Sequence, residues 1–202
     1  MSFVDVFRAQ YRTLPMCLQP SDCASKTYIV TGSNIGIGLE TAKHLTGLGA
    51  ARVVMAVRSP SRGAAALAEL EAETGRTGVA ELWALDLSSY ASIRAFAARV
   101  ESDLDKVDGL VQNAAGANAE WIECEGMEST IAVNVVGTML LTVLLMPYMQ
   151  RIARKYSIRP VIEMVSSTLG FARKDDLPKI GGGSILRDLS NEKKWSTDGV
   201  NR

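Results

Sequence analysis

Thr31-Gly32-Ser33-Asn34-Ile35-Gly36-Ile37-Gly38 closes the β-branched run Thr27 to Thr31 (TYIVT) and opens a helical pattern from Ile37 to Leu48 that stops at Gly49. A strand, a glycine-rich turn and a helix in immediate succession are the start of a βαβ unit. Each glycine has its own physical reason. Gly32 permits a tight turn, Gly36 lets backbone approach a pyrophosphate, and Gly38 lets the helix pack close to the strand. The free N–H groups and positive dipole end of the helix then face the same spot, which suits a nucleotide's diphosphate. The alternative for an isolated pattern of this kind is a helix entry with no ligand.

Further along the chain, short apolar runs alternate with helical patterns. Strands are expected at Arg52 to Val57 (RVVMAV), Glu81 to Leu85, Gly109 to Gln112 and Pro160 to Val165. Between them lie an alanine- and glutamate-rich helix, Gly63 to Thr74, with Gly75 as its C-cap. A second helix spans Tyr90 to Leu104, with Ser89 as N-cap and Ile93, Phe96, Val100 and Leu104 on one face. A long apolar helix follows from about Glu128 to Ala153. Alternation of this kind implies right-handed crossovers and an α/β fold: a doubly wound parallel sheet with helices on both faces. The near-continuous apolar strands fit burial on both sides. From 168 to 202 the chain carries Gly181-Gly182-Gly183, many charges and one brief helical patch at Ile185 to Leu189, and reads as a long loop.

Composition narrows the function. With 47% hydrophobic and 22% charged residues and zero formal net charge, nothing favours nucleic acid or a membrane surface. Asp5, Arg8 and Arg12 break any secretory signal, and the apolar stretch Thr138 to Met149 is too short to span a bilayer, so it suits a buried helix. Cys17, Cys23 and Cys124 are odd in number and lack metal spacing, which points to a reduced, cytoplasmic setting. His44 is the sole histidine, so a histidine metal site or a Ser-His-Asp triad is excluded; no metal is expected.

At the end of the second strand, where an acid would bind the ribose of NAD, the sequence reads Met55-Ala56-Val57-Arg58. The acid is missing, and Arg58 can pair with the 2′-phosphate of NADP. A solvated surface arginine is the alternative.

With these residues in view the chain resembles a short-chain dehydrogenase/reductase. The turn has that family's TGxxxGxG spacing, and further landmarks follow in order. Asp86, in LDLSS, matches the aspartate that contacts the adenine ring. Asn113-Ala114-Ala115-Gly116 matches the NNAG-type motif, with Gln112 at its first asparagine. Asn134, in IAVNVVG, matches the helix asparagine that supports a proton relay. Ser166-Ser167 match the end of the fifth strand, where the resemblance makes Ser167 the catalytic serine. Taken singly, Asp86 serves equally as a helix cap, Asn113 as a turn residue, and the two serines as strand-end residues. The likeness covers about Lys26 to Ser167, after an N-terminal extension of residues 1 to 25. Within the family the MAVRS strand end and the LPKIGGGSILRDLSNEKKW insertion are similar to retinol-dehydrogenase-like fungal reductases, which serve secondary metabolism.

The resemblance implies a Rossmann-like domain over residues 26 to 202, incomplete at its C-terminal side. It implies NADP held by Gly32, Ser33, Asn34, Ile35, Gly36, Ile37, Gly38, Arg58, Asp86 and Asn113. It implies interconversion of a small-molecule carbonyl and alcohol, with homo-oligomerisation of a full-length form. The family's Tyr-x-x-x-Lys motif is missing from these residues. Four positions after Tyr11, Tyr28, Tyr90, Tyr148 and Tyr156 come Pro15, Gly32, Arg94, Ile152 and Pro160. The chain therefore reads as the front portion of such an enzyme, shortened before the tyrosine and lysine. The other reading is a cofactor-binding remnant without hydride transfer.

Overall fold

A computed structural model describes residues 11, 15, 17–167 and 184–194. The main sheet consists of β1 (Thr27–Thr31), β2 (Arg52–Val57), β3 (Ala80–Ala84), β4 (Gly109–Gln112) and, at the end of the series, β7 (Val161–Met164). All its pairings are parallel, in the order β3-β2-β1-β4-β7. The order reverses at β1, which has β2 on one side and β4 on the other. A crevice opens at such a switch point, at the carboxyl ends of the strands.

Strand side chains alternate between the faces, and each face carries its own core. On one, Val30, Val53 and Met55 meet Leu39, Ala42 and Leu45 of α1 (Gly36–Gly47) and Ala66 and Leu70 of α2 (Pro60–Thr74). On the other, Ile29, Val54, Trp83 and Leu110 meet Phe96 and Val100 of α3 (Tyr90–Asp103) and Leu141, Leu145 and Tyr148 of α4 (Ser129–Tyr156). Burying each of the larger side chains contributes about 1.5–3 kcal/mol. Cys23, in a short helical turn at Pro20–Cys23, is buried in the first cluster. All three cysteines are unpaired.

The expected elements are present with small shifts. β3 begins and ends one residue early, because Asp86 already starts the following turn with Ser88. α2 begins at Pro60, since proline at a first helical position forfeits no internal hydrogen bond. Gly75 caps it in the left-handed region at φ 65°, and Ser89 caps α3 by accepting from the Ser92 N–H.

α4 is longer than its sequence pattern suggested and reaches Tyr156. It contains a π turn at Ala132–Gly137 and carries Pro147, which lies on its exposed side. By length and composition it is apolar enough to cross a membrane. Its inner face is nonetheless the core of this domain, and its outer face leaves Val135, Met139, Val143 and Met146 exposed.

A two-stranded antiparallel ribbon, β5 (Glu123–Cys124) with β6 (Met127–Glu128), was not foreseen from the sequence. Strands of two residues carry no readable period. The helical patch appears as α5 (Ile185–Leu189), lying against β6. Residues 168–183 and 195–202 of the expected loop lie outside the described residues.

Candidate functional site

The crevice at the carboxyl ends of β1 to β4 encloses about 590 Å³. Gly32, Asn34 and Ile35 of the glycine turn line it, whereas Gly36, Ile37 and Gly38 are not among the lining residues. Gly32 has φ 67°, and its N–H donates to Ala56 O at 2.8 Å, while a Cβ there would stand 2.8 Å from Ala114 Cα. Gly36 has φ 56° and open space where a side chain would project. A Cβ on Gly38 would collide with the Asn113 amide and the Gly32 carbonyl. Gly32 and Gly36 thus adopt backbone that favours glycine, and Gly38 has no room for a side chain. No side chain caps α1 at Ile35, so its first N–H groups are left for an outside acceptor.

Asn34 and Ile35 line the crevice, whereas Ser33 is fully buried beneath it. Ile35 and Ile37 are 72% and 68% exposed, unusual for isoleucine and consistent with a surface that something else covers.

Thr31 and Asn113 fix the turn to β4. The buried Thr31 Oγ1 accepts from the N–H groups of Asn113 and Ala114, both at 3.0 Å. Asn113 Nδ2 donates to the carbonyls of Thr31 and Gly32 at 3.1 and 3.3 Å. Thr31 was passed over in the sequence, although a hydroxyl at a buried strand end needs partners.

At the far end of the crevice Arg58 extends from β2 and Arg62 from the first turn of α2, both exposed and both lining it. Arg62 was also missed. Its signal was its place four residues after Arg58, across a proline-started helix. Asp86 does not cap α3, whose N-cap is Ser89. One carboxylate oxygen accepts from Ser88 N and Ser88 Oγ, at 2.9 and 2.6 Å, in a local turn, and the residue also lines the crevice.

Asn134 and Ser167 are not among the crevice-lining residues. The Asn134 amide is engaged with backbone: Gly116 N donates to its Oδ1 at 2.8 Å, and its Nδ2 donates to Gly116 O at 2.9 Å. It clamps the loop after β4 from within the π turn of α4. Ser167 is exposed, three residues beyond β7, on the sheet edge where Val165 N donates to Gln112 O. No cluster of metal-ligating residues occurs among the described residues.

This arrangement brings a glycine-rich turn, two guanidinium groups and a carboxylate to the carboxyl ends of a doubly wound sheet. Known proteins are similar in sequence and fold. A family model described as short chain dehydrogenase matches residues 26–176. The short chain dehydrogenase/reductase dmxR8 of Cryptosporiopsis sp. is 42% identical over 145 residues, 71% of this chain and 45% of that protein. The short chain dehydrogenase atnD of Emericella nidulans is 38% identical over 174 residues, 83% of this chain and 54% of that one. The chain thus spans about half the length of these relatives. A 3-oxoacyl (acyl-carrier-protein) reductase from Agrobacterium tumefaciens, solved with NADP bound, superposes with a TM-score of 0.61 at 25% identity, covering 82% of this chain and 58% of that one. A short-chain dehydrogenase from Novosphingobium aromaticivorans shares the fold with a TM-score of 0.63 at 24% identity, covering 74% and 55%. The sheet order, the glycine turn and these matches together show that the chain belongs to the short-chain dehydrogenase family.

Proposed function

We propose that this chain carries the cofactor-binding part of an NADP-dependent oxidoreductase that interconverts a carbonyl and an alcohol. The observation that carries the cofactor choice is the pair Arg58 and Arg62 at one end of the crevice, with no acid at the end of β2. Two guanidiniums beside a helix N-terminus favour a 2′-phosphate, and an NAD site would hold a carboxylate there. Gly32 to Gly38 would hold the pyrophosphate, Asp86 the adenine edge, and Asn113 would keep the turn in shape. The bound cofactor supplies hydride chemistry.

In this reading Ser167 holds the substrate oxygen, and Asn134 acts through the Gly116 loop as well as through any relay. The fungal origin of the related dehydrogenases supports a role in fungal secondary metabolism, and cytoplasmic residence goes with it.

Titration calorimetry of the 202-residue chain with NADPH and NADH tests the assignment. NADPH should bind more tightly, and Arg58→Ala with Arg62→Ala should abolish the difference. Each lost charge-assisted bond is worth about 1.5–3 kcal/mol, or roughly tenfold or more in affinity. Equal affinity for both cofactors in the unaltered chain would refute the NADP assignment. A second reading, binding without turnover, is favoured for these 202 residues by the lack of a Tyr-x-x-x-Lys motif among them. Ketone reduction by the 202-residue chain would defeat it.

A further inference from the structure

The ribbon β5–β6 lines the crevice through Cys124 of its first strand, with Ile122 just before it, and is tied at its tip by a long-range hydrogen bond. Glu125 and Gly126 form its two-residue turn with φ of 53° and 75°, both in the left-handed region. Glycine, asparagine or aspartate fits the first of these positions with less strain than glutamate. The glutamate has a use there: its Oε1 accepts the Tyr90 N–H at 2.8 Å, across 35 residues. That N–H is the first of α3, and the Ser89 hydroxyl, which accepts from Ser92 N, leaves it open.

At its base the ribbon is built in more firmly. Ser129 N donates to Ile122 O at 2.8 Å, Asn118 Nδ2 donates to Ser129 Oγ at 2.8 Å, and the buried Glu128 carboxylate accepts from Thr130 N and Ile131 N. Between base and tip, Ile122 and Cys124 line the crevice, as do Leu87 and Ser88 just upstream of Tyr90. The Glu125 bond therefore joins the ribbon, one wall of the crevice, to the start of α3, two residues after the 86–88 loop that forms another.

We propose that Glu125 is a positioning residue whose carboxylate latches the ribbon to α3 and so holds open a slot of fixed width for a planar purine base. The inference rests on the nucleotide reading above and adds the wall that it lacked. Leu87, Ile122, Cys124 and Val133 supply apolar surface for the ring faces, and Asp86 and Ser88 supply polar groups at its edge.

The test compares the unaltered chain with Glu125→Ala and Glu125→Gln, the latter keeping an oxygen acceptor. Two quantities are read: affinity for 2′,5′-ADP, and the rate at which N-ethylmaleimide labels Cys124, mapped by mass spectrometry. Exposed Cys17 serves as the internal standard and buried Cys23 as the monitor of unfolding. Glu125→Ala should weaken 2′,5′-ADP binding and accelerate Cys124 labelling, each roughly three- to tenfold, the factor that one exposed hydrogen bond carries into an equilibrium. Glu125→Gln should restore most of both. Bound 2′,5′-ADP should slow Cys124 labelling in the unaltered chain. Unchanged binding and labelling in Glu125→Ala would overturn the proposal, as would labelling of Cys23 alongside Cys124, which would mark a role in general stability only. Failure of the unaltered chain to bind 2′,5′-ADP would overturn the nucleotide reading itself, an outcome told apart by appearing before any substitution.

Discussion

Gly38 makes the sharpest single-residue statement in this molecule, because the space for a side chain is already taken. A methyl group there meets the Asn113 amide and the Gly32 carbonyl, the two groups that stitch the turn to β4. Gly38→Ala should destabilise the chain by about 1–3 kcal/mol, the usual range for overpacking. At roughly 2–4 °C per kcal/mol for a domain of this size, circular dichroism should show a midpoint several degrees lower. A melting curve matching the unaltered chain would show that the contact relaxes freely. The need for glycine was legible in the local pattern of strand, turn and helix. The identity of what it avoids was not, since Asn113 lies far along the chain. Arg62 escaped notice for a similar reason: a lone arginine in a first helical turn gains meaning only when it lines the same crevice as Arg58.

Helices and strands are cross-linked here by a small charged cluster that should respond to acid. Arg52 on β2 donates to both Glu81 carboxylate oxygens on β3, at 2.7 and 3.0 Å, and Trp83 Nε1 adds a third bond at 3.1 Å. Arg99 of α3 stacks 3.8 Å from the Trp83 ring centre. The Arg52 hydrogen bonds, and then the Trp83 bond, hold the Glu81 carboxyl below its usual 4.5, against the opposing effect of burial. The folded chain therefore takes up this proton later than the unfolded chain. The resulting stability is complete above the usual value and is lost as pH falls through the lower folded one. With the Glu81 side chain 37% exposed, solvent screening keeps the contribution under about 1 kcal/mol. Urea denaturation from about pH 6 to about pH 3, across the carboxylate range, should show Glu81→Gln less stable at the upper end and converging with the unaltered chain at the lower. A gap that does not vary with pH would assign the effect to packing. The period of β3 was readable in the sequence, but its pairing with β2, which brings Arg52 to Glu81, was not.

Considered whole, the described fold is well covered except along one side. β7 is paired only with β4 among the described residues, and Val161, Met164 and Val165 are 53%, 41% and 45% exposed. The outer face of α4 adds Val135, Met139, Val143 and Met146, all at least 40% exposed. An open parallel edge beside an apolar helix face favours association. The 202-residue chain should therefore elute from size-exclusion columns larger than a monomer, with the proportion rising with concentration. Met139→Lys with Val143→Glu should shift it toward monomer without lowering the melting midpoint, because neither side chain belongs to the core clusters. A cooperatively melting monomer at all concentrations would contradict this.

The order and type of the main elements, the glycine turn and the lack of an acid after β2 were all contained in the linear chain. Each depends on residues within a few positions of one another, where helical or strand period and turn chemistry act. Three-dimensional packing settled the rest: the reversal of strand order at β1, the tie from Thr31 to Asn113 and the pairing of Asn134 with Gly116. It also brought Arg58 and Arg62 to one crevice and Glu125 to the Tyr90 N–H. These features join segments between four and more than eighty residues apart, or use strands too short to have a period. No local rule specifies such contacts; they follow from which surfaces the folded chain brings together to exclude water and satisfy buried hydrogen bonds.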